Sequence, residues 1–150
     1  MNETNSRKII AAGAILFLLG LITGFIIPLV ENSRMGLAGH LEGVMNGTFL
    51  IAVGAVWTRL ILSTRLERLA FWLLLYGTYA NWLLVLLAAI FGTSEMTPIA
   101  GAGYSGLPWQ ETLVTAGLSS VGITMLIACL ILVIGFMRHP AAPKTTAAPG

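Results

Sequence analysis

The sequence predicts an all-α membrane protein, a four-helix transmembrane bundle that forms a single domain over residues 1–139. Hydrophobic residues make up 57% of the 150-residue chain and charged residues only 9%, whereas a soluble domain is about one quarter charged. Four apolar stretches each reach the roughly 20 residues that a helix needs to cross a bilayer. The predicted helices cover residues 9–30, 37–62, 69–91 and 110–137.

Each element follows from its residues. In the first helix, Gly20 and Gly24 form a pair of small residues that is typical of close helix packing. The third helix follows the polar residues 63–68, and the fourth begins near Pro108, a residue type favoured in a first helical turn. Residues 140–150 are rich in alanine, proline and threonine, and this composition predicts a disordered tail.

The basic residues predict how the bundle is oriented. With four spans, only Arg34 of the eight lysines and arginines falls on one side of the membrane. The other seven fall on the opposite side: Arg7, Lys8, Arg59, Arg65, Arg68, Arg138 and Lys144. Basic residues concentrate on the cytoplasmic side, so we expect both termini in the cytoplasm (N-in, C-in). The net charge of +2 then reflects topology, and we expect no nucleic-acid partner.

Small and polar residues share one face of the second helix. Its glycines recur every four residues, among them Gly43 and Gly47, and therefore form a stripe. His40 borders the stripe on one side, whereas Glu42 and Asn46 border it on the other. One imidazole beside a flat glycine surface favours a haem that lies on Gly43 and Gly47, with its iron bound by His40. On position alone, a histidine bonded to a backbone carbonyl or reaching the membrane interface is the alternative.

Polar residues inside a span are candidates for function because they are costly to bury in lipid. Glu42 could be an acid exposed at the interface or a partner of Arg34, and it could equally be a proton donor or a hydrogen-bond partner of His40 or of a haem propionate. Asn46 and Asn81 fall at a similar depth when residues are counted along each helix. They could bond each other between helices, or line a small polar pocket to which Tyr79 adds a hydroxyl.

Several kinds of site are excluded within one chain. Cys129 is the only cysteine, so an intrachain disulfide or a cysteine-based metal site cannot form. The chain has no CxxC, HExxH or Walker motif, and no acidic metal cluster. His139 is predicted to lie on the opposite side of the membrane from His40, which excludes a haem held by two histidines of the same chain.

Three segments carry a resemblance to known families. They are AGHLEGVMNGT at residues 38–48, YGTYANW at 76–82 and PWQE at 108–111, and together they resemble the bacterial hydroxylaminobenzene mutases. The His-x5-Asn-Gly pattern on the second helix and Ala-Asn on the third are also similar to styrene oxide isomerase. That resemblance implies a four-helix, haem-b-dependent enzyme of the bacterial inner membrane, assembled as a homotrimer, with His40 on the iron and Asn46 on the substrate.

One position departs from the isomerase pattern. Styrene oxide isomerases have a functional tyrosine one turn after the asparagine of the third helix, and Val85 occupies that position here. The closer likeness is therefore to the mutases, and Tyr79 could take over the role of the missing hydroxyl. His40 and Asn46 are about 9 Å apart along one helix, so we expect neighbouring protomers to share each site.

The resemblance implies an isomerase, an arylhydroxylamine mutase that converts hydroxylaminobenzene to 2-aminophenol in nitroaromatic degradation. Ferric haem b would act as a Lewis acid at the N–O bond, and Asn46, Asn81, Tyr79 and Glu42 would form the catalytic set. No nicotinamide or electron donor is needed, since the reaction has no net redox change. The alternatives are an epoxide isomerase that uses the same haem, and a non-catalytic membrane subunit or small transporter with His40 and Glu42 as a proton site.

Overall fold

The computed structural model describes residues 2–138, and this part of the chain is helical apart from short connections. The helices are α1 (Asn2–Ile26), α2 (Ser33–Val56), α3 (Thr64–Phe91), α4 (Pro98–Gly101) and α5 (Pro108–Met137). Single 3-10 turns, Ile27–Leu29 and Trp57–Arg59, continue α1 and α2. All four long helices are apolar and long enough to cross a membrane, which confirms the predicted all-α class and number of spans. The predicted disordered tail lies outside the described residues.

All four long helices begin earlier than the predicted starts at residues 9, 37, 69 and 110, and α1 and α3 differ most. The polar start of α1 is helical from Asn2, because its side chains find partners on other helices. Asn5 Nδ2 donates to Glu67 Oε1 at 3.0 Å, and Ser6 Oγ donates to the Gly54 carbonyl at 2.7 Å. α3 begins at Thr64 rather than near residue 69, since the Ser63 side chain accepts a hydrogen bond from a backbone N–H of the first turn.

α2 ends before the predicted boundary at residue 62. Its helix stops at Val56, one 3-10 turn follows, and Leu60 has extended backbone angles. Trp57 is fully buried there, and its Nε1 donates to Glu67 Oε1 at 3.1 Å. This anchor fixes the corner between α2 and α3, so the apolar residues 60–62 pack in an extended connection instead of continuing the helix.

α1 and α2 are packed backbone against backbone. A Cβ atom on Gly20 would lie 2.5 Å from the backbone nitrogen of Val44, and one on Gly47 would lie 2.5 Å from that of Phe17. No side chain fits at such distances, so glycine at these positions permits the close approach of the two helices. The predicted role of small residues in helix packing is therefore confirmed for Gly20.

The remaining helices are arranged around α3. One side of α3 packs on α2 and the other on α5, whereas α5 packs chiefly on α3. The largest buried cluster includes Leu50 and Trp57 of the α2 segment, Leu74 of α3 and Ala128 of α5. This order leaves α2 in contact with α1 on one side and α3 on the other, which decides where its polar side chains point.

The two ends of the bundle differ in charge. The start of α1 and the ends of α2 and α5 meet at one end, where the backbone N–H of Ile61 donates to the Gly135 carbonyl at 3.1 Å. We call this the terminal end, and we call the opposite end, with residues 27–33 and 92–107, the loop end. Arg34 lies at the loop end. The terminal end holds the other basic residues that the structure describes: Arg7, Lys8, Arg59, Arg65, Arg68 and Arg138.

Candidate active site

A carboxylate and two amides meet where α2 faces α3. Glu42 Oε2 accepts hydrogen bonds from Asn46 Nδ2 at 3.0 Å and from Asn81 Nδ2 at 2.6 Å. Glu42 and Asn46 are one turn apart on α2, whereas Asn81 comes from the middle of α3. The two asparagines thus lie at one level, as their positions in the sequence predicted, but they meet on a carboxylate rather than on each other. We call these three residues the Glu42 cluster.

The Glu42 cluster keeps hydrogen-bonding capacity for a ligand. Among residues 2–138, Glu42 Oε1 has no hydrogen-bond partner, and each amide donates only one of its two N–H groups. The amide oxygens can accept in addition. All three side chains are only partly buried, and a half-exposed carboxylate in a span is costly unless a polar partner meets it. The cluster can therefore bind a small molecule that has both N–H and O–H groups.

The ring of His40 is held by the backbone of α1. Its Nδ1 lies 2.8 Å from the Gly20 carbonyl oxygen, and a Cβ on Gly24 would lie 3.0 Å from the same nitrogen. A carbonyl can only accept, so Nδ1 carries the proton in this bond. In the neutral imidazole, Nε2 then has a free lone pair. The carbonyl-bonded alternative for His40 is observed, and it leaves the second nitrogen available.

The geometry of His40 fits an axial haem ligand. Histidines that bind metals commonly donate their other ring N–H to a backbone carbonyl, which fixes the tautomer and orients the ring. In the described part of the chain, His40 is the one histidine, and no three His, Cys, Asp or Glu side chains come together to hold a metal ion. The described residues of one chain thus provide no ligand cluster around Nε2, whereas a porphyrin brings its own four nitrogen ligands to the iron.

His40 and Glu42 point to different neighbours of α2. Two residues along a helix correspond to a rotation of about 200°, so the side chains leave the axis about 160° apart. His40 contacts α1, whereas Glu42 is bonded to Asn81 of α3. A small molecule on the free nitrogen of His40 cannot also contact the Glu42 cluster of the same chain unless it extends around α2.

Glu111 fixes the connection that covers the loop end. Its side chain is only 5% exposed, and its carboxylate accepts hydrogen bonds from three backbone N–H groups of residues 92–107. These donors are Ser94 and Glu95, each at 3.1 Å, and Gly106, at 2.9 Å. A carboxylate with three such donors satisfies the backbone of a segment that has little regular structure. We call residues 92–107 the roof.

Asn32 ties the roof to α2 from the other side. Its side chain is 1% exposed and donates to the carbonyls of Ala100 and Gly101, at 3.2 and 3.0 Å. The same side chain accepts from the backbone N–H of Met35 at 3.1 Å and thereby caps α2. The short helix α4 is consequently held over the first turns of α2 by two buried polar side chains, Asn32 and Glu111.

A cavity of about 560 Å³ lies between the roof and α2. Apolar side chains make up most of its wall, and Arg34 is its one charged residue. Its lining comprises Arg34, Leu37, Ala38 and Leu41 of α2 together with Met96, Thr97, Pro98, Ile99 and Ala100 of the roof. We call it the roof pocket.

Comparison with known proteins decides the family. A family model described as styrene oxide isomerase matches residues 5–137. The chain belongs to the styrene oxide isomerase family. It is 45% identical to the hydroxylaminobenzene mutase HabB of Ectopseudomonas oleovorans over 143 residues, which cover 95% of this chain and 87% of that protein. It is 47% identical to the mutase HabA of the same organism over 129 residues, 85% of this chain and 96% of that protein. No solved structure matches the chain significantly.

Membership of the styrene oxide isomerase family confirms an enzyme, an isomerase embedded in a membrane by four helices. It sets aside the alternative of a non-catalytic subunit or small transporter. The sequence indicated candidate site residues but not which of them touch each other. In the structure, Glu42, Asn46 and Asn81 are in hydrogen-bonding contact. Their catalytic roles stay predictions.

Gly43 and Gly47 contact helix α1, where the sequence had suggested a haem. A Cβ on Gly43 would overlap the backbone of Gly20, and one on Gly47 would lie 2.7 Å from the Cα of Phe17. Both glycines are buried against α1. The stripe is thus a helix-packing surface here, because α1 fills the space that the sequence had suggested for a haem.

Tyr79 does not join the Glu42 cluster. Its hydroxyl donates to the Ala12 carbonyl of α1 at 2.7 Å, because Tyr79 and Asn81, two residues apart, point about 160° away from each other. The expectation that Tyr79 stands beside Asn81 is therefore not met within one chain. Val85, at the position of the tyrosine in styrene oxide isomerases, is buried among apolar side chains near the loop end.

Sequence reasoning missed the roof and the residues that hold it. Glu111 enters the sequence prediction only as part of the PWQE segment, and Asn32 does not enter it. The available signal was Pro98 after Thr97, because proline favours the first turn of a helix and indicated a helix inside the connection. The contacts of Glu111 and Asn32 with distant backbone had no sequence signal.

Proposed function

We propose that this isomerase is an arylhydroxylamine mutase that converts hydroxylaminobenzene to 2-aminophenol. Its similarity to two hydroxylaminobenzene mutases over most of their length supports this substrate. The observation that carries the proposal is the Glu42 cluster, in which Glu42 Oε1 and the second N–H of each amide have no hydrogen-bond partner among residues 2–138. A hydroxylamine offers N–H and O–H donors and an oxygen acceptor, which complement these groups.

The atoms of the reaction balance without a co-substrate. The N–O bond breaks, a C–O bond forms at the ortho carbon, that carbon loses a proton and the nitrogen gains one. Glu42 Oε1 is suited to accept the ortho proton and return it to nitrogen, because no group among residues 2–138 hydrogen-bonds to it. Asn46 and Asn81 hold the carboxylate through Oε2, and their second N–H groups can hydrogen-bond the charge that develops on oxygen.

We also propose that His40 Nε2 binds haem b. When bound, the ferric iron supplies a Lewis acid for the hydroxylamine oxygen. The bond from Nδ1 to the Gly20 carbonyl supports this role, because it orients the ring and directs the free lone pair to Nε2. His40→Ala should lose the Soret absorption band while the protein still inserts into membranes, and a variant with full haem occupancy would contradict the assignment.

The working unit that we propose is a homotrimer with sites shared between chains. His40 and the Glu42 cluster lie on opposite sides of α2, so a second chain is the simplest way to bring both onto one substrate. Cyclic contacts join different faces of identical chains and permit such sharing; the number three follows the resemblance. Co-assembled His40→Ala and Asn46→Ala chains, each inactive alone, should then regain part of the activity, whereas proven mixing without recovery would refute sharing.

For orientation we propose that the terminal end faces the cytoplasm of a bacterial inner membrane. Six described basic residues lie at this end and only Arg34 at the other, which is the distribution of proteins with cytoplasmic termini. An apolar arene partitions into the bilayer and can reach a site inside the membrane, which is consistent with this location.

A direct test supplies purified, haem-loaded protein with hydroxylaminobenzene whose oxygen is labelled with 18O. We expect 2-aminophenol rather than the para isomer, and Glu42→Gln should lower kcat by about 10²- to 10⁴-fold, the range of a lost acid–base group. Thr48→Ala is the matched control, because Thr48 lies on the same helix and bonds only its own helix backbone. Equal loss in both variants, or no ortho product from wild type, would refute the proposal.

A second candidate reaction is the isomerisation of an epoxide to an aldehyde. The family model, described as styrene oxide isomerase, favours it, whereas Val85 offers no hydroxyl at the position of the family tyrosine. Styrene oxide given to the same preparation tests this candidate. A higher kcat/KM for the epoxide than for hydroxylaminobenzene would make it the principal activity.

A further inference from the structure

The roof pocket has no part in the Glu42 cluster or in the contacts of His40, yet it has the properties of a ligand site. Its volume of about 560 Å³ lies within the range of about 300–1,000 Å³ that is usual for small-molecule pockets. The pocket is open on one side, most of its lining side chains are apolar, and Arg34 is its single charged lining residue. A guanidinium beside an apolar wall can bind the face of an aromatic ring.

The wall of the roof pocket continues toward the Glu42 cluster. Ala38 lines the pocket, Glu42 follows one turn later on α2, and Asn46 follows one further turn. Positions four apart lie above one another on the same side of a helix, about 6 Å apart along its axis. A polar substituent on a small arene against Ala38 is therefore within reach of Glu42 when it is directed along α2.

The roof is held in place rather than loosely folded over α2. The buried side chains of Asn32 and Glu111 together hydrogen-bond six backbone groups at this end, and five of these groups belong to the roof. Sites for small molecules are usually formed before the ligand binds, and this arrangement provides such a preformed wall. His40 is not among the lining residues, so an iron porphyrin in the pocket would lack that ligand from the same chain.

We infer that the roof pocket receives the aromatic ring of the arylhydroxylamine and that Leu41 and Ile99 set the size of ring that is accepted. The inference rests on the proposed mutase activity, and it adds where the aromatic ring of the substrate binds. Ile99 is 82% exposed on α4, so its side chain contributes to the pocket wall without contributing to the core. Substitutions there can change the pocket without unfolding the bundle.

Kinetics of two Ile99 variants test the role in specificity. Ile99→Trp narrows the pocket and should raise KM for hydroxylaminobenzene about tenfold, the effect of a changed hydrophobic pocket, with kcat within about twofold. Ile99→Ala should raise kcat/KM for 1-hydroxylaminonaphthalene relative to hydroxylaminobenzene. Ile123→Trp is the control, because Ile123 is 62% exposed on α5 and does not line the pocket. Unchanged KM and ring preference in both Ile99 variants would overturn the inference.

A binding experiment gives a readout that does not depend on turnover. N-methylaniline has a methyl group in place of the hydroxyl and cannot react, and its 4-bromo derivative can be located by anomalous scattering in crystals of the haem-loaded protein. We expect the bromine between Leu41 and Ile99. A lipid chain or a helix of a second copy in the pocket, with bromine elsewhere, would refute the inference even if the mutase reaction is found. Bromine in the pocket of a protein without mutase activity would refute the proposed function and leave an arene site.

Discussion

Replacement of Gly47 by alanine tests the close contact between α1 and α2. The new Cβ would lie 2.5 Å from the backbone nitrogen of Phe17, 2.7 Å from its Cα and 2.8 Å from the Gly13 carbonyl oxygen. Uncrowded contacts begin near 3.5 Å, so the helices must separate by about 1 Å. All three neighbours are backbone atoms and cannot rotate away. We therefore expect Gly47→Ala to lower the free energy of unfolding by about 1–3 kcal/mol, the usual effect of overpacking.

The same separation affects the ring of His40. The Nδ1 of His40 is 2.8 Å from the Gly20 carbonyl oxygen, and about 1 Å more would exceed hydrogen-bonding distance. The imidazole would lose the bond that orients it. If His40 holds the proposed haem, Gly47→Ala should weaken haem binding as well as lower the stability, although position 47 lies two turns from the histidine.

Unfolding in mixtures of dodecyl maltoside and sodium dodecyl sulfate, followed by tryptophan fluorescence, measures the stability change. Gly122→Ala is the matched control on α5, because nothing lies within 4 Å of a Cβ at Gly122. That variant should be as stable as wild type or more stable by about 0.5–1 kcal/mol, since alanine favours a helix interior over glycine. Equal unfolding free energies for Gly47→Ala and Gly122→Ala would refute the packing argument.

Three further predictions concern other parts of the chain. Tyr79→Phe should keep kcat within about threefold. It should lower the free energy of unfolding by about 0.5–1.5 kcal/mol, the contribution of one hydrogen bond, because it removes the bond to the Ala12 carbonyl. A loss of activity above a hundredfold would restore Tyr79 to the catalytic set. Glu111→Gln should loosen the roof, with faster proteolysis within residues 92–107 and a higher KM at unchanged kcat; identical proteolysis rates would contradict the role of its three backbone contacts. A reporter fused after Gly150 should be active only in the cytoplasm, and activity confined to the periplasm would reverse the proposed orientation.

The sequence was sufficient to predict the fold because every helix that spans a bilayer needs about 20 or more predominantly apolar residues. It was insufficient for the helix ends, which depend on single contacts between distant residues. Trp57 ends the α2 segment because its indole finds Glu67 on α3, and Ser6 lengthens α1 because it reaches the Gly54 carbonyl. Local hydropathy does not predict either partner, Glu67 or the Gly54 carbonyl.

The sequence predicted how deep the site residues lie in the membrane, but not which way their side chains point. Residues counted along two helices placed Asn46 and Asn81 at one level, and both bond Glu42. The same counting placed Tyr79 nearby, yet a shift of two residues turns a side chain by about 200° around the axis. Which side of α3 faces α2 depends on the packing of all four helices, and a single sequence carries no direct signal of it.

The contact between His40 and Gly20 has a consequence for biosynthesis. Both residues belong to the hairpin of α1 and α2, which ends with the 3-10 turn at Arg59. Because the N-terminal part of a chain is synthesised and folds first, the hairpin can orient the imidazole before α3 is in place. Glu42 can bond Asn81 only after α3 has been synthesised. Helix α5, which packs chiefly on α3, is the last helix to be added. The half of the site that would hold iron is thus translated as one local unit, and the half that would hold substrate matures later.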